Sequence, residues 1–252
     1  MKTSGPHISL ILPAYNEVKR IANTIQEAKD YFESRQFTYE IIVSADGTDG
    51  TREVVAEMAK TAATLKVIGS EERRGKGYGI RQAVPLTSGK FVGFADADNK
   101  TPITEFDKVE PLLHQYDIVI GSRGLAESQI EQAQPFYRQI GSIGFGIYMR
   151  TITGLTDIID TQCGFKFFKR PVAVDLFSRQ HIDGYMYDVE ILYLARRARY
   201  TIAQVPIRWR DDHDSRLQLL SGNIRNALDV LSIRFSSAHV NGRAAASDAP
   251  KV

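Results

Sequence analysis

The sequence predicts an α/β fold in which a mostly parallel sheet is flanked by helices. Through the first half of the chain, apolar runs of strand length alternate with segments of helical periodicity, joined by short connections. This alternation indicates βαβ crossovers between parallel strands. Polar segments follow several of the strand-like runs, and open α/β sheets bind their ligands at the carboxyl ends of their strands.

Each element of the first half follows from its own pattern. Residues 7–13 form a mostly apolar run that predicts a buried strand, and the helix predicted at 20–35 carries Ile21, Ile25 and Phe32 on one stripe. Short apolar runs predict the further strands, and apolar residues at spacings of three and four predict the further helices. These strands are 39–44, 65–68, 90–95 and 117–121, and these helices are 51–61, 76–86 and 103–113.

The second half is less regular. It predicts strands at 165–168 and 203–208 and helices at 187–199 and 217–234. Residues 236–252 are rich in Ala, Ser, Asp and Pro with little periodicity, so we expect a disordered tail there. We expect one domain over residues 1–235, with two halves at about 7–123 and 124–235.

Composition limits the possible functions. The chain has 252 residues, of which 43% are hydrophobic and 25% charged, so it can bury a sizeable core. The net charge of +2 gives no sign of a nucleic-acid partner. No run approaches the roughly 18 apolar residues of a membrane-spanning helix, and no signal peptide is expected. Cys163 is the single cysteine, which excludes an internal disulfide and fits a reducing compartment.

The strongest chemical signal is Asp96-Ala97-Asp98, which directly follows the strand predicted at 90–95. A turn at the end of a strand can direct both carboxylates to one point. Such oxygen ligands suit Mg²⁺ or Mn²⁺, and a cation held there would neutralise a diphosphate. By itself the pattern is common and more often marks a solvated turn, so its weight comes from the segments around it.

Three further polar segments follow predicted strands. In residues 13–17, the ring of Tyr15 and the carboxylate of Glu17 could bind a nucleoside. The alternative is that the segment only begins a helix, with Asn16 as its N-cap. Residues 45–51 are typical of a turn and cap, or they place Asp46 against a nucleobase edge. Residues 73–79 combine three glycines with three cations. This composition fits an anion-binding site at the start of a helix, or alternatively a solvated loop.

Together these segments resemble the donor site of the family 2 glycosyltransferases, which have the Rossmann-like GT-A fold. That family shows P-x-Y-N-E, D-D-G-S-x-D-G-T, G-K-G and D-A-D segments in this order, which correspond here to 13–17, 46–51, 75–77 and 96–98. The second segment departs from the family pattern, because it is one residue shorter and has Ala45 where Asp is frequent.

The resemblance implies a role for each matching residue. The base and ribose of a nucleotide-sugar donor would be held by Pro13, Ala14, Tyr15, Glu17 and Asp46. Lys76 would approach the base or the phosphates of the donor. The turn of Asp96, Ala97 and Asp98 would face the diphosphate, with both carboxylates acting through Mg²⁺ or Mn²⁺.

The second half resembles the polyprenyl-phosphate sugar synthases of this family, which make dolichyl-phosphate mannose or glucose. The segments 160–166 (D-T-Q-C-G-F-K) and 187–190 (Y-D-V-E) are most similar to the glucosyl branch. The resemblance implies an acceptor phosphate held by Arg123, Gln162, Lys166 and Arg216. Taken singly, the three cations of this set are more often ordinary surface residues.

A phosphate acceptor would simplify the chemistry. A lipid monophosphate is already an anion near neutral pH, so its oxygen would attack the anomeric carbon without a strong general base and invert its configuration. A hydroxyl acceptor would need a base, for which Asp188 and Glu190 are the candidates. Each of these also fits the ordinary negative charge at a helix start.

Residues 135–155 bear on membrane contact. Ile140, Ile143 and Ile147 have helical spacing, which fits an interfacial helix or ordinary core packing. The resemblance favours a cytoplasmic enzyme that is peripheral at the cytoplasmic face of a membrane.

The sequence therefore predicts an inverting, metal-dependent transferase that moves glucose from UDP-glucose to polyprenyl or dolichyl phosphate. GDP-mannose as the donor and a soluble hydroxyl as the acceptor stay open, as does a non-catalytic module that binds nucleotide sugars. No oligomeric state is predicted.

Overall fold

The computed structural model describes residues 5–130, 136–210 and 221–235. Its strands are β1 (Ile8–Tyr15), β2 (Tyr39–Asp46), β3 (Leu65–Ile68), β4 (Phe91–Ala95), β5 (Ile118–Ser122), β6 (Gln129–Ile130), β7 (Phe165–Lys169), β8 (Ile202–Pro206) and β9 (Arg208–Trp209). Its helices are α1 (Ile21–Ser34), α2 (Thr51–Ala59), α3 (Lys76–Ala83), α4 (Phe106–Leu113), α5 (Phe136–Thr153), α6 (Arg170–Ser178), α7 (Tyr187–Arg197) and α8 (Ser221–Phe235). Arg216 and the predicted tail at 236–252 lie outside the described residues.

Seven strands form the central sheet in the order β3-β2-β1-β4-β7-β5-β8. All neighbouring strands pair in parallel except β7, which is antiparallel to both β4 and β5. The predicted mostly parallel sheet is therefore confirmed. Because β7 runs in the opposite direction, the residues that precede it lie at the same edge as the carboxyl ends of β1, β2 and β4.

Several boundaries differ from the predicted ones. Strands β1 and β2 continue to Tyr15 and Asp46, two residues beyond the predicted ends, and so carry both side chains into the edge of the sheet. The helix predicted at 76–86 ends at Ala83 and continues as a 3₁₀ turn, because Pro85 lacks the N–H that an α-helix needs. Helix α6 and the small parallel sheet of β6 and β9 were not predicted.

Both faces of the sheet are covered. Successive residues of β1 point to opposite faces, so Leu10 and Leu12 pack with α1, α2 and α4, whereas Ile11 packs with α3, α6 and α7. Gly93 on β4 has to be glycine, since a Cβ atom there would lie 2.0 Å from the ring of Phe167 on β7. Within the described ranges, no helix has the length and hydropathy needed to cross a membrane.

Candidate active site

The first two predicted loops meet at the carboxyl edge of the sheet and are tied together. The backbone N–H of Glu17 donates to Thr51 Oγ1 at 2.9 Å, and that of Val18 donates to Asp49 Oδ2 at 3.0 Å. Asn16 has a left-handed backbone with φ of 54°, and its side-chain oxygen accepts from the N–H of Thr48. Asn16 is therefore not the cap of α1, which begins after Arg20.

Asp46 lies opposite Tyr15 in the register of β1 and β2. Its buried carboxylate accepts the backbone N–H groups of Ser70 at 3.3 Å and Arg74 at 2.8 Å. The chain between these residues crosses the site, and the guanidinium of Arg73 lies 4.4 Å from the centroid of the Tyr15 ring. Asp46 thus orders the wall of the site, and its contact with a base stays a prediction.

The glycines of the G-K-G segment allow two parts of the chain to pack closely. Gly75 has a φ of +113°, and a Cβ atom there would lie 2.3 Å from the carbonyl oxygen of Asp183. A Cβ atom at Gly77 would lie 2.5 Å from Cβ of Tyr187. The start of α3 is therefore held against the chain that leads into α7, and this packing places Lys76 between Asp96 and Asp188.

Lys76, Asp96, Lys166 and Asp188 form a partly buried cluster of alternating charge. Lys76 Nζ donates to Asp96 Oδ1, and Lys166 Nζ donates to Asp188 Oδ1 at 2.7 Å. Burial alone would lower the pKa of Lys76, but the carboxylates of Asp96 and Asp188 outweigh it and raise that pKa. Burial raises the pKa of Asp188, although Lys166 and Lys76 oppose the shift. The cluster links β4, α3, β7 and α7.

Two predicted residues lie elsewhere than their predicted roles require. Lys166 was predicted to hold an acceptor phosphate, but its side chain is 0% exposed and also donates to the carbonyl oxygen of Cys163. Glu190, a candidate base, is fully buried and accepts the backbone N–H groups of His181 at 2.9 Å and Ile182 at 2.8 Å. Both side chains are therefore structural in this state. Lys166 joins the central strand β7 to α7, and Glu190 joins α7 to the chain that precedes it.

Asp96 and Asp98 stand beyond the end of β4, where both are partly exposed. A Cβ atom at Gly164, directly before β7, would lie 2.0 Å from Asp96 Oδ2, so this glycine lets the two segments meet. Burial and the nearby charge of Asp96 raise the pKa of Asp98. Such a pair of carboxylates favours the approach of a cation.

The donor set of this turn fits a hard divalent cation. In the part of the chain that the structure describes, no group of three or more His, Cys, Asp or Glu side chains is arranged around a common point. Mg²⁺ is commonly held by one or two carboxylates and completes its shell with substrate phosphate oxygens and water. Asp96 and Asp98 match this type of site.

On the far side of the turn lies a second charged group. Arg123, after β5, donates to Asp160 through Nε at 2.7 Å and through a terminal nitrogen at 3.0 Å. Burial would raise the pKa of Asp160, but Arg123 outweighs it and lowers that pKa. The ring of Trp209 lies 5.5 Å from the guanidinium of Arg123 and 5.7 Å from Lys100 Nζ. Gln162 is half-buried beside this group, and its N–H donates to Asp160.

Trp209 and Asp160 were not among the predicted site residues. Trp209 is the single tryptophan of the chain, and it lies between two arginines. The sequence signal that could have indicated Trp209 as a site residue is an aromatic ring between basic residues at the end of a predicted strand. The pairing of Arg123 with Asp160 depends on how β5 and β7 lie side by side, which the sequence pattern does not show.

A mostly parallel sheet with an Asp-x-Asp turn after β4, beside two interlocked polar loops, is the arrangement that the predicted glycosyltransferase site requires. The chain belongs to glycosyl transferase family 2, whose family model matches residues 9–177. This membership confirms the predicted family and enzyme class.

The relatives and solved structures agree with this assignment. The chain is 34% identical to a dolichyl-phosphate beta-glucosyltransferase of Dictyostelium discoideum, over 91% of this chain and 74% of the relative. It is 32% identical to the human dolichyl-phosphate beta-glucosyltransferase, over 90% of this chain and 75% of the relative. Glucosyl-3-phosphoglycerate synthase from Mycobacterium tuberculosis, solved with Mn²⁺, UDP and glucosyl-3-phosphoglycerate, matches with a TM-score of 0.64 and 24% identity, over 91% of this chain and 80% of that one. This likeness confirms the predicted fold.

The buried pair of Lys166 and Asp188 gives a prediction about stability. Lys166→Met leaves the Asp188 carboxylate buried without its partner, so we expect a loss of about 3–5 kcal/mol in the free energy of unfolding, measured by urea denaturation. The double variant K166M/D188N should recover much of this loss. Lys169→Met is the control, because Lys169 and Asp117 form a partly exposed ion pair, and its removal should cost clearly less than removal of the buried one. Equal losses in K166M and K169M would contradict the role of the buried pair.

Proposed function

We propose that this enzyme transfers glucose from UDP-glucose to dolichyl phosphate or a related polyprenyl phosphate. The observation that carries the proposal is the similarity to dolichyl-phosphate beta-glucosyltransferases, which extends through both halves of the chain. The geometry supports it, because the carboxylate turn lies between the nucleoside-side loops and the group of Arg123, Asp160 and Trp209.

The donor would lie along the edge formed by β1, β2 and β4. Pro13, Ala14 and Tyr15 end β1, and Glu17 follows in the loop that the structure ties to residues 46–51; these four would hold the base and ribose. A divalent cation held by Asp96 and Asp98 would offset the negative charge that develops on the leaving diphosphate. Ala97, buried between the two carboxylates, keeps the turn in place.

The acceptor would enter from the side of Arg123. An oxygen of the lipid phosphate attacks the anomeric carbon while the bond from that carbon to the diphosphate breaks, so the configuration inverts. This attack needs no strong base. The structure fits that requirement, because Oδ1 of Asp188 is held by Lys166 and both oxygens of Glu190 accept backbone N–H groups.

Membrane contact is the third part of the proposal, and we assign it to α8. Of the predicted contact segment 135–155, the side chains of Ile140 and Ile143 lie outside the described residues. Among the described apolar side chains of α5, Met149 is buried and Ile147 is exposed. On α8, in contrast, four large apolar side chains are exposed at spacings of four, three and four residues: Ile224, Leu228, Leu231 and Phe235.

This apolar stripe is flanked by Arg225 and Arg234. The single acidic residue between positions 224 and 235 is Asp229, which is half-buried. An apolar stripe with cationic flanks suits the interface of an anionic lipid layer. Two copies of α8 packed antiparallel through the stripe would instead place Arg225 against Arg234. We therefore propose that the enzyme is peripheral at a cytoplasmic membrane face.

Donor choice and the carboxylate turn are tested together. Purified enzyme is given UDP-glucose, GDP-mannose or other radiolabelled nucleotide sugars with polyprenyl phosphate, and label in the lipid extract is counted. We expect transfer from UDP-glucose. Asp98→Asn keeps the shape but removes a charged ligand, so transfer should fall at least about a hundredfold without unfolding. Full activity of D98N, or full activity in excess chelator, would contradict the metal role, and donor binding without transfer would indicate a binding module.

The acceptor is tested through Arg123. Arg123→Ala should raise the KM for polyprenyl phosphate at least about tenfold, because a charge-assisted hydrogen bond is worth roughly 1.5–3 kcal/mol. The dissociation constant for UDP should stay the same. Arg196→Ala is the control, since Arg196 forms an ion pair with Asp157 away from the carboxylate turn. If free polyprenol accepts glucose as readily as its phosphate and R123A has no effect, the acceptor is a hydroxyl.

The α8 stripe is tested by flotation with vesicles that contain anionic phospholipid. In the double variant I224S/L228S, the partition coefficient for the vesicles should fall at least about tenfold, because two large apolar side chains no longer enter the lipid. Leu86→Ser is the matched control, as Leu86 is exposed on a different part of the molecule. Equal flotation of I224S/L228S and L86S would contradict the role of α8.

A further inference from the structure

Lys76 already has a partner where the donor and metal are expected. Its ammonium donates to Asp96 Oδ1, one of the two carboxylates proposed to hold the cation. The same ammonium lies 6.0 Å from the ring centroid of Phe94 and 5.9 Å from that of Tyr187. Gly75 and Gly77 fix the backbone on either side of Lys76 against the chain that leads into α7. Its side chain is thus the part that is able to move.

The charges around Lys76 are balanced in this state. Lys76 and Lys166 oppose Asp96 and Asp188, while Lys100 Nζ lies 3.8 Å from Asp98. A divalent cation that binds Asp96 meets the ammonium of Lys76 at short range, and two positive charges in a partly buried site repel strongly. A diphosphate arriving with the cation supplies negative charge and a new partner for Lys76.

We propose that Lys76 acts as a counter-ion that occupies Asp96 until the donor and the divalent cation bind together. The ammonium then moves from Asp96 to the diphosphate. Lys76 therefore weakens metal binding to the free enzyme and couples metal affinity to donor affinity. By linkage, the factor by which the nucleotide strengthens metal binding equals the factor by which the metal strengthens nucleotide binding. The inference rests on the proposed function only in requiring a donor with a diphosphate.

The test measures binding rather than sugar transfer. Mn²⁺ is titrated into the protein alone, in the presence of UDP and, in a parallel series, in the presence of GDP, and free Mn²⁺ is followed by electron paramagnetic resonance. In the unchanged enzyme, Mn²⁺ should bind weakly alone and much more tightly with UDP. Lys76→Gln should bind Mn²⁺ alone at least about tenfold more tightly, because the competing charge is gone. The strengthening by UDP should be correspondingly smaller.

Three variants serve as controls. Lys76→Arg keeps the charge, so Mn²⁺ alone should still bind to it as weakly as to the unchanged enzyme. Lys66→Gln removes a lysine that pairs with Glu40 near the opposite edge of the sheet, and it should change neither titration. Asp98→Asn should abolish the Mn²⁺ binding seen in K76Q. Lys76→Met replaces K76Q if circular dichroism shows that the glutamine variant is unfolded.

Two results would overturn the inference. One is that K76Q binds Mn²⁺ alone no more tightly than the unchanged enzyme, and the other is that Mn²⁺ binding in K76Q survives D98N. If neither UDP nor GDP binds to any variant, the proposed donor class is wrong. The titrations with Mn²⁺ alone still decide the role of Lys76 in that case, so the two failures are distinguishable.

Discussion

The ion pair between Lys166 and Asp188 joins the two halves of the site. Lys166 stands on β7, the antiparallel strand between β4 and β5, and Asp188 lies in the first turn of α7. Removing two charges from water costs several kcal/mol per ion, and their attraction offsets this only with good geometry and further hydrogen bonds. Lys166 meets that condition through its second bond to the carbonyl oxygen of Cys163.

Two further contacts of the site depend on the direction of β7. Because β7 enters the sheet from the carboxyl edge, Gly164 comes against Asp96 and Asp160 comes against Arg123. The same segment therefore touches the carboxylate turn on one side and the guanidinium of Arg123 on the other. A parallel strand in this place would carry these residues to the opposite edge, and the turn after β4 would lose its neighbour.

The sequence was sufficient for what depends on local pattern. Apolar runs and helical spacing predicted the strands and helices of the first half, and the polar segments at 13–17 and 96–98 were expected at the carboxyl edge, where they lie. The burial of Lys166 was not predictable in this way. Its two neighbours on β7 are both phenylalanine. The place of β7 between β4 and β5, beneath α7, follows from the sheet order and the helix packing, which no short pattern encodes.

The glycines around Lys76 show the same limit. In the sequence they suggest a loop that wraps an anion, whereas the structure uses both to bring α3 against the chain before α7. A glycine-rich helix start fits either role. What decides between them is the contact with Asp183 and Tyr187, which lie more than a hundred positions away. This packing fixes the backbone of Lys76, so the exchange of partners that we propose involves only its side chain.

Both proposed substrates are anions, and two cations at this edge of the sheet are already paired with carboxylates. Lys76 is paired with Asp96 and Arg123 with Asp160, so binding an anion exchanges one partner for another and does not neutralise a bare charge. Such exchange lowers the cost of burying the cations before substrates arrive. It also makes affinity depend on whether the displaced carboxylate finds a new partner. For Asp96 the proposed partner is a divalent cation, whereas Asp160 would still accept the backbone N–H of Arg123 if the guanidinium turned toward a phosphate. Under this proposal, the donor side requires a second ligand and the acceptor side does not.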